Sequence, residues 1–353
     1  MSDDQMKHAQ YEDYQRPLSE FTADVWERHE TATCDLQIAG QKVRLTSSHA
    51  TLIDTLIPAI AHLKTEEAHA QLDFEICLID LSRIQGKKLP SIPWEPLLKR
   101  GHRGLKVGDV YLQFVHILET GVRILSAYDS RNNRAYYFVS STEELPWYIM
   151  GAPMHEILYW WVRSKNMHIL HCGVVGNSDG GVALLGAKGA GKSTMVLNCL
   201  ERGLQYIAED YCIVTNDTVP VANSLYNSAK FTDFTFQLFP HLASFKANDV
   251  GEAAKVLVFY QDIYPDQIVQ ELPLKAMVSL NLQSDGGAGL SPIDMHQTFL
   301  DMISSTTLQN PVYELSSTTF FHDLKQKLPS FEMIHDGNLE ESHDLLLKLL
   351  RKM

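Results

Sequence analysis

A glycine-rich stretch that ends in a lysine and two hydroxyl residues is the most specific chemical feature of this sequence. Gly186 to Ser193 fits the pattern G-x-x-x-x-G-K-[ST] of a phosphate-binding loop. Glycines let backbone N–H groups point at phosphate oxygens, and a helix that begins just after the loop adds its positive N-terminal end. The predicted nucleotide-binding residues are Gly186, Ala187, Lys188, Gly189, Ala190, Gly191, Lys192, Ser193 and Thr194.

Two side chains of this loop have distinct predicted roles. Lys192 can reach the β- and γ-phosphates of ATP and is a predicted catalytic residue, and the Ser193 hydroxyl can bind Mg²⁺. An ordinary glycine-rich turn is the alternative. An apolar run before Gly186 and a helical pattern from Thr194 to Arg202 favour the nucleotide site, because they supply strand, loop and helix in the required order. ATP and Mg²⁺ are therefore the predicted cofactors.

Two adjacent carboxylates, Glu209 and Asp210, interrupt the apolar segment that follows the helix. Burying ionised carboxylates is expensive without a cation or a hydrogen-bond partner. If their strand lies beside the loop strand in a parallel sheet, one carboxylate can bind the metal and the other can accept a proton from an attacking hydroxyl. A solvated strand end is the alternative for this pair. Asp285, after the apolar run that starts at Ala276, is an alternative metal ligand or a turn residue.

Two histidines, His168 and His171, precede the loop. On a helix their spacing would suit a metal, but the apolar flanking residues predict a strand. His168 is therefore predicted to be a core histidine. His171 stands just before a predicted hairpin, whose turn at Asn177 to Gly181 leads into the loop strand.

The remaining elements predict two domains. The region before residue 145 predicts a small α+β domain with antiparallel strands, a hairpin around Gly40 and a poorly ordered start over residues 1–20. In the larger part, Leu274 to Leu282 is predicted to be a buried strand. Ser291-Pro292 is predicted to begin a helix that runs to Ile303, and Asn338 is predicted to cap the last helix.

Composition excludes several classes of protein. The net charge of −13 over 353 residues leaves no basic footprint for nucleic acid. The five cysteines are scattered without a C-x-x-C pair and predict reduced thiols. No apolar run approaches the ~20 residues that span a bilayer, and the polar N-terminus argues against a secretory signal. We expect a cytoplasmic protein with no nucleic-acid or membrane partner, and a homo-oligomer is left open.

The segment from His171 to Val214 resembles the catalytic core of the HPr kinase/phosphorylase family. Family members have a histidine before a hairpin, then the phosphate loop and its helix, an Arg-Gly-like step and an Ala-Asp-Asp triplet. The last two correspond here to Arg202-Gly203 and Ala208-Glu209-Asp210. The resemblance implies an α/β fold: a P-loop catalytic domain with a mixed sheet at 146–353, behind a smaller α+β domain at 1–145. It also implies that Asp210 activates the acceptor hydroxyl, that Glu209 assists the metal, and that His171 orients or charge-balances the acids.

The sequence departs from this family in several places. The first acid of the triplet is Glu209, and a Gly-Arg-Gly-Leu-Gly-like segment is missing, so reversal by phosphate is not predicted. No arginine occurs between Arg202 and Arg351, so Lys192 must neutralise phosphate charge with Mg²⁺, helped by Lys230, Arg202 or a residue from another subunit. The chain is more similar to the HPr-kinase-related paralogues labelled kinase B, whose acceptors are not HPr.

These features predict an ATP-dependent kinase that transfers the γ-phosphate to a hydroxyl. The acceptor would be a serine of a protein or peptide, or a small molecule, and residues 1–145 would select it. The alternatives are a P-loop ATPase or nucleotide-dependent switch that uses Asp285 as its metal ligand, and a nucleotide-bound scaffold without turnover.

Overall fold

The computed structural model describes residues 3–66, 70–84, 89–100, 104–187, 189–247, 255–283, 287–294, 306 and 316–353. The chain divides into two compact units. The first comprises the described parts of Met1–Pro58 and Leu63–Lys165. The second comprises those of Ala59–His62, Asn166–Gln309 and Tyr313–Met353.

The first unit is built on a seven-stranded sheet with the order β1-β2-β3-β7-β6-β5-β4. Its strands β1 to β7 are Ala32–Ile38, Gln41–Ser47, Phe74–Asp80, Leu105–Val107, Val110–His116, Arg123–Asp129 and Arg134–Val139. Its helices α1 to α5 are Asp3–Arg28, Ala50–Leu56, Trp94–Arg100, Trp147–Gly151 and His155–Arg163. The predicted hairpin is confirmed as β1 and β2. The predicted antiparallel pairing is confirmed for β1 with β2 and for β4 to β7, but β3 runs parallel to both β2 and β7.

Helix α5 belongs to the first unit, although the predicted boundary at residue 145 would assign it to the second. Its two tryptophans account for the difference. The Trp161 ring stacks on Phe74 of β3 with centroids 4.6 Å apart, and Trp160 stacks on Tyr111 of β5 at 5.8 Å. Aromatic burial of this size is among the largest contributions to a core, so the helix packs with the first sheet.

The N-terminal residues predicted to be poorly ordered lie in helix α1 from Asp3 onward. Tyr11, Tyr14, Leu18 and Val25 are buried and recur three, four and seven residues apart, which forms one apolar stripe. The Tyr11 hydroxyl also donates to the Asp129 carboxylate at 3.1 Å. The stripe is sparse between polar residues, which explains why the composition of this segment suggested little order.

The second unit contains a mixed nine-stranded sheet. One path through it has the order β11-β9-β10-β16-β13-β12-β8, and β18 pairs with β16 and β17. The strands β8 to β18 are Met167–His171, Gly173–Asn177, Gly180–Leu185, Gln205–Ala208, Tyr211–Thr215, Val221–Ser224, Ser228–Phe231, Val256–Phe259, Glu271–Leu282, Gly289–Pro292 and Ser330–His335. The helices α6 to α9 are Lys192–Glu201, Asp233–Leu238, Ser316–Lys327 and Leu339–Lys352. Strands β14 and β15 form a separate two-stranded ribbon.

The loop strand β10 lies inside this sheet and is buried on both faces. Val182 and Leu184 pack with side chains of α6 and α9, whereas Ala183 and Leu185 pack on the opposite side with side chains of α8. Successive residues of a strand face opposite ways, so an uninterrupted apolar run suits a strand covered on both faces. This burial fixes the end of β10, from which the glycine-rich loop departs.

Several predicted elements of the second unit are confirmed. The hairpin before the loop is β9 and β10, the strand from Leu274 lies within β16, and the Asn338 side chain accepts from Glu341 N at 3.2 Å to cap α9. The helix predicted to begin at Ser291 was wrong at its start, because Ser291 and Pro292 belong to β17. The remainder of that predicted helix from residue 295 to 303 lies outside the described residues.

Within the parts of the chain that the structure describes, no helix combines the length and the apolar character needed to cross a bilayer.

Candidate active site

The glycine-rich loop connects the end of β10 at Leu185 to the start of α6 at Lys192. Gly186, Gly189 and Gly191 all have positive φ, at 144°, 89° and 88°. Gly191 is the N-cap of α6, and no described side chain caps this helix. The backbone N–H groups of its first turn therefore remain available for an anion, as in known phosphate-binding loops. Lys188, a predicted member of the loop, lies outside the described residues.

The Lys192 side chain folds back across this loop. Its Nζ donates to the Gly186 carbonyl at 2.7 Å and to the Ala187 carbonyl at 3.4 Å. Burial lowers the pKa of Lys192, although the negative charges of Asp210 and Glu209 oppose that shift. The ammonium group thus lies within electrostatic reach of both predicted acids.

His335, at the end of β18, supports the loop from the sheet side. It is 3 % exposed, and its Nε2 lies 3.1 Å from the Ala190 carbonyl, to which it donates. A Cβ added to Gly191 would lie 3.1 Å from His335 Cε1. No local motif marks this histidine in the sequence, because the contact depends on the pairing of β18 with β16.

We expect Gly191→Ala to destabilise the protein more than Gly189→Ala. Both positions have nearly the same left-handed φ, so either substitution should cost about 1–2 kcal/mol in backbone strain. Only the first also pushes a methyl group against His335, whereas a Cβ at Gly189 has no described atom within 4 Å. Urea unfolding of the two variants measures the difference. Equal losses would mean that His335 moves aside without cost.

The acid pair lies between β11, which ends at Ala208, and β12, which begins at Tyr211. Glu209 is 5 % exposed, and the Ser193 hydroxyl of α6 lies close enough to lower its pKa. Burial and the neighbouring charge of Asp210 raise the pKa of Glu209 to about 7. A buried carboxyl with this pKa lacks enough positive charge around it, which is the condition that a metal ion would correct.

Each carboxylate oxygen of Asp210 has a hydrogen-bond partner. His171 Nε2 donates to its Oδ1 at 2.6 Å, and Lys230 Nζ donates to its Oδ2 at 3.1 Å. Burial alone would raise the pKa of Asp210, but the hydrogen bond from His171 and the charge of Lys230 outweigh it and hold the pKa well below its usual range. The two acids therefore differ, since Asp210 is fully ionised near neutral pH and Glu209 is only partly so.

The strand that leads to the acids, β11, was predicted to lie beside the loop strand β10 and parallel to it, but the two strands are not adjacent. Strand β9 lies between β11 and β10 and is antiparallel to both. The contact with the loop is made instead through the Ser193 hydroxyl at the start of α6. The short hairpin from β9 to β10 explains this order, because antiparallel neighbours need only a tight turn.

The other candidate residues differ in whether they lie at the acid pair. His168 is a core histidine as predicted, with its ring against Phe320 and Phe321. Of the cations proposed to assist Lys192, Lys230 contacts Asp210, whereas Arg202 donates to Asn198 Oδ1 at 3.2 Å. Asp285 lies outside the described residues. Lys255, whose charge acts on Glu209 and Lys192, is a cation that the sequence did not single out.

A metal site at the acid pair would be made of oxygen atoms. Among the described residues, no group of three or more histidine, cysteine, aspartate or glutamate side chains is arranged to hold a metal ion. Ser193 and Glu209 supply one hydroxyl and one carboxylate, which are hard donors that fit Mg²⁺ shared with substrate phosphates. The pair does not fit a metal held by the protein alone.

Comparisons with known proteins do not identify a family for this chain. No family model matches the chain, and no curated protein matches it. A solved structure that it resembles is the Hpr(Ser) kinase/phosphatase from Coxiella burnetii, at 12 % sequence identity and a TM-score of 0.28. That match covers 52 % of this chain and 94 % of the other. A likeness this distant carries no weight for the function of this chain.

Proposed function

We propose that the second unit is an ATP- and Mg²⁺-dependent kinase that transfers the γ-phosphate of ATP to a hydroxyl. The proximity of the Ser193 hydroxyl to the buried Glu209 carboxylate is the observation that carries the proposal. It joins the loop that would hold the phosphates to the acids that would serve the metal and the acceptor. An ordinary glycine-rich turn would not require a buried acid pair at its helix.

Each residue of the site has a role in this reaction. The N–H groups at the start of α6 and the Lys192 ammonium would bind the phosphates, with Lys192 exchanging its present carbonyl partners for phosphate oxygens. Ser193 and Glu209 would hold Mg²⁺, which would neutralise phosphate charge when bound. These contacts orient ATP before transfer, and positioning with charge stabilisation accounts for most of phosphoryl-transfer catalysis.

Asp210 would receive the acceptor hydroxyl. The hydroxyl oxygen forms a bond to the γ-phosphorus, the bond from that phosphorus to the β–γ bridging oxygen breaks, and ADP leaves. The hydroxyl proton passes to Asp210, whose ionised state His171 and Lys230 maintain. A weakly basic carboxylate suffices because the proton leaves late in a loose transition state.

The nature of the acceptor belongs to the same proposal. A serine of a protein or peptide and a small-molecule hydroxyl are both compatible with this chemistry. The first unit is our candidate for acceptor recognition, because the predicted chemistry lies wholly in the second.

The test combines nucleotide binding with transfer of label. The purified protein should bind MgATP in calorimetry, and γ-labelled ATP added with it to a cell extract should label an acceptor. Lys192→Ala should weaken MgATP binding by roughly 10–100-fold, because a charge-assisted hydrogen bond is worth about 1.5–3 kcal/mol. Lys348→Ala, an exposed lysine of α9, is the matched control.

Two outcomes would contradict the proposal. Unchanged MgATP binding in Lys192→Ala would remove the phosphate-binding role of the loop. Release of inorganic phosphate with no labelled acceptor would favour the ATPase or switch alternative.

A further inference from the structure

The β14–β15 ribbon presents its two faces to different surroundings. Ala229 and Phe231 of β14 pack with Val256 and Val258 of β15 in the core that includes α6. Alternate residues of a strand face opposite ways, so Lys230 lies on the other face. Its 3.1 Å contact with Asp210 identifies that face as the one turned toward the acids.

Lys255 lies on this same face. The ribbon is antiparallel, with Phe231 opposite Val256 and Lys230 opposite Leu257. Extending this register by one residue places Lys255 opposite Thr232, diagonally across from Lys230. Diagonal neighbours on one face are within reach of long side chains. The ribbon thus carries two lysines toward one acid pair.

The two lysines are engaged differently. Lys230 already forms an ion pair with Asp210, whereas Lys255 forms no ion pair or hydrogen bond with any residue that the structure describes. The charge of Lys255 opposes the rise in the pKa of Glu209 and adds to the fall in the pKa of Lys192. Lys255 therefore lies within electrostatic reach of the loop lysine and the buried acid, and no described residue binds its ammonium group.

The arginines of the second unit do not supply a cation here. Arg202 donates to Asn198 on its own helix, and Arg351 is exposed near the end of α9. No other arginine occurs between them. A transferring phosphoryl group spreads negative charge over its oxygens and gains from a second cation placed against it.

We propose that Lys255 is a catalytic residue that contacts the transferring phosphoryl group, in the place where other phosphotransferases use arginine. This inference rests on the proposed kinase function of the same site. Its ammonium would donate to the phosphoryl oxygens while Lys192 holds the side of the leaving group. Lys230, in contrast, is a positioning residue that acts through Asp210.

The test uses the full-length protein and requires no knowledge of the acceptor. Binding of MgADP and binding of MgADP with aluminium fluoride, a mimic of the transferring group, are measured for each variant. Lys255→Gln should bind the fluoride complex about 100-fold more weakly, while its MgADP affinity stays within about threefold of the wild type. Lys255→Arg should recover most of this loss, because a cation of similar reach is restored.

Lys246→Gln is the matched control. Lys246 lies over the Phe236 ring at 4.9 Å and is exposed, so its loss should leave both affinities unchanged. If Lys255→Gln behaves like this control, or loses affinity for MgADP and the fluoride complex equally, Lys255 has no role specific to transfer. If the wild type binds neither complex, the kinase proposal itself fails, and the wild-type measurement alone identifies that case.

Discussion

The Asp210→Asn variant is expected to lose about 10²–10⁴-fold in turnover while it still binds MgATP. Asparagine keeps the shape of the side chain but cannot accept the acceptor's proton. It also loses the charge that His171 and Lys230 surround at 2.6 and 3.1 Å. Nucleotide affinity should be preserved or increased, because a negative charge close to the phosphates is removed. Steady-state transfer of labelled phosphate and calorimetry with MgATP measure the two effects separately.

Asp217→Asn provides the control for this change. Asp217 is exposed beyond the end of β12, so the same chemical substitution there should leave turnover unchanged. Full activity in Asp210→Asn together with loss of activity in Asp285→Asn would contradict the assignment of the acids. That result would support the ATPase alternative, in which Asp285 serves the metal.

The loop and the acid pair could be predicted because their chemistry is local in sequence. The spacing of Gly186, Gly191 and Lys192 predicts a phosphate site within a few residues, and both glycines have the positive φ that such a loop favours. Glu209 and Asp210 stood out because ionised groups in an apolar segment require partners. Of their partners, His171 is predicted from the resemblance to orient or charge-balance the acids, whereas Lys230 is predicted only to help Lys192 neutralise phosphate charge.

The sheet order and the remaining cations could not be predicted in the same way. The position of β9 between β11 and β10 depends on strand pairing, which local periodicity does not specify. Lys255 reaches the site only through the register of β14 with β15, and His335 only through the pairing of β18 with β16. Such residues carry no motif, since their function comes from contacts between distant segments.

The helix predicted to begin at Ser291 was wrong for the same reason, because pairing between distant strands decides the structure there. Ser-Pro is a good local helix start, but Ser291 and Pro292 pair with Glu332 and Phe331 of β18 instead. Proline is tolerated in a strand at a sheet edge, and within the described residues β17 pairs with β18 alone. Tertiary pairing thus overrode a local preference.

Replacing Glu209 should make the metal-free protein more stable at alkaline pH. The pKa of Glu209 is raised to about 7 in the folded protein from an ordinary value of 4.5. Between these values the folded state binds more protons than the unfolded state, so stability falls as pH rises through this window. At pH 8 the ionised carboxylate should cost roughly 3 kcal/mol, since each pKa unit corresponds to about 1.4 kcal/mol. Glu209→Gln removes this cost, and urea unfolding with a chelator at pH 5 and pH 8 measures it.

The variant should therefore resemble the wild type at pH 5 and exceed it at pH 8. Glu271→Gln, at the exposed start of β16, should follow the wild type at both values. Parallel curves for Glu209→Gln and the wild type would mean that the buried carboxyl has an ordinary pKa.

Adding Mg²⁺ with ATP should reverse the order of stability at pH 8, so that the wild type exceeds the variant. A ligand that binds only the folded state stabilises it, and glutamine cannot supply the charge that the metal needs. The carboxylate that destabilises the metal-free protein is thus the one expected to bind the cation.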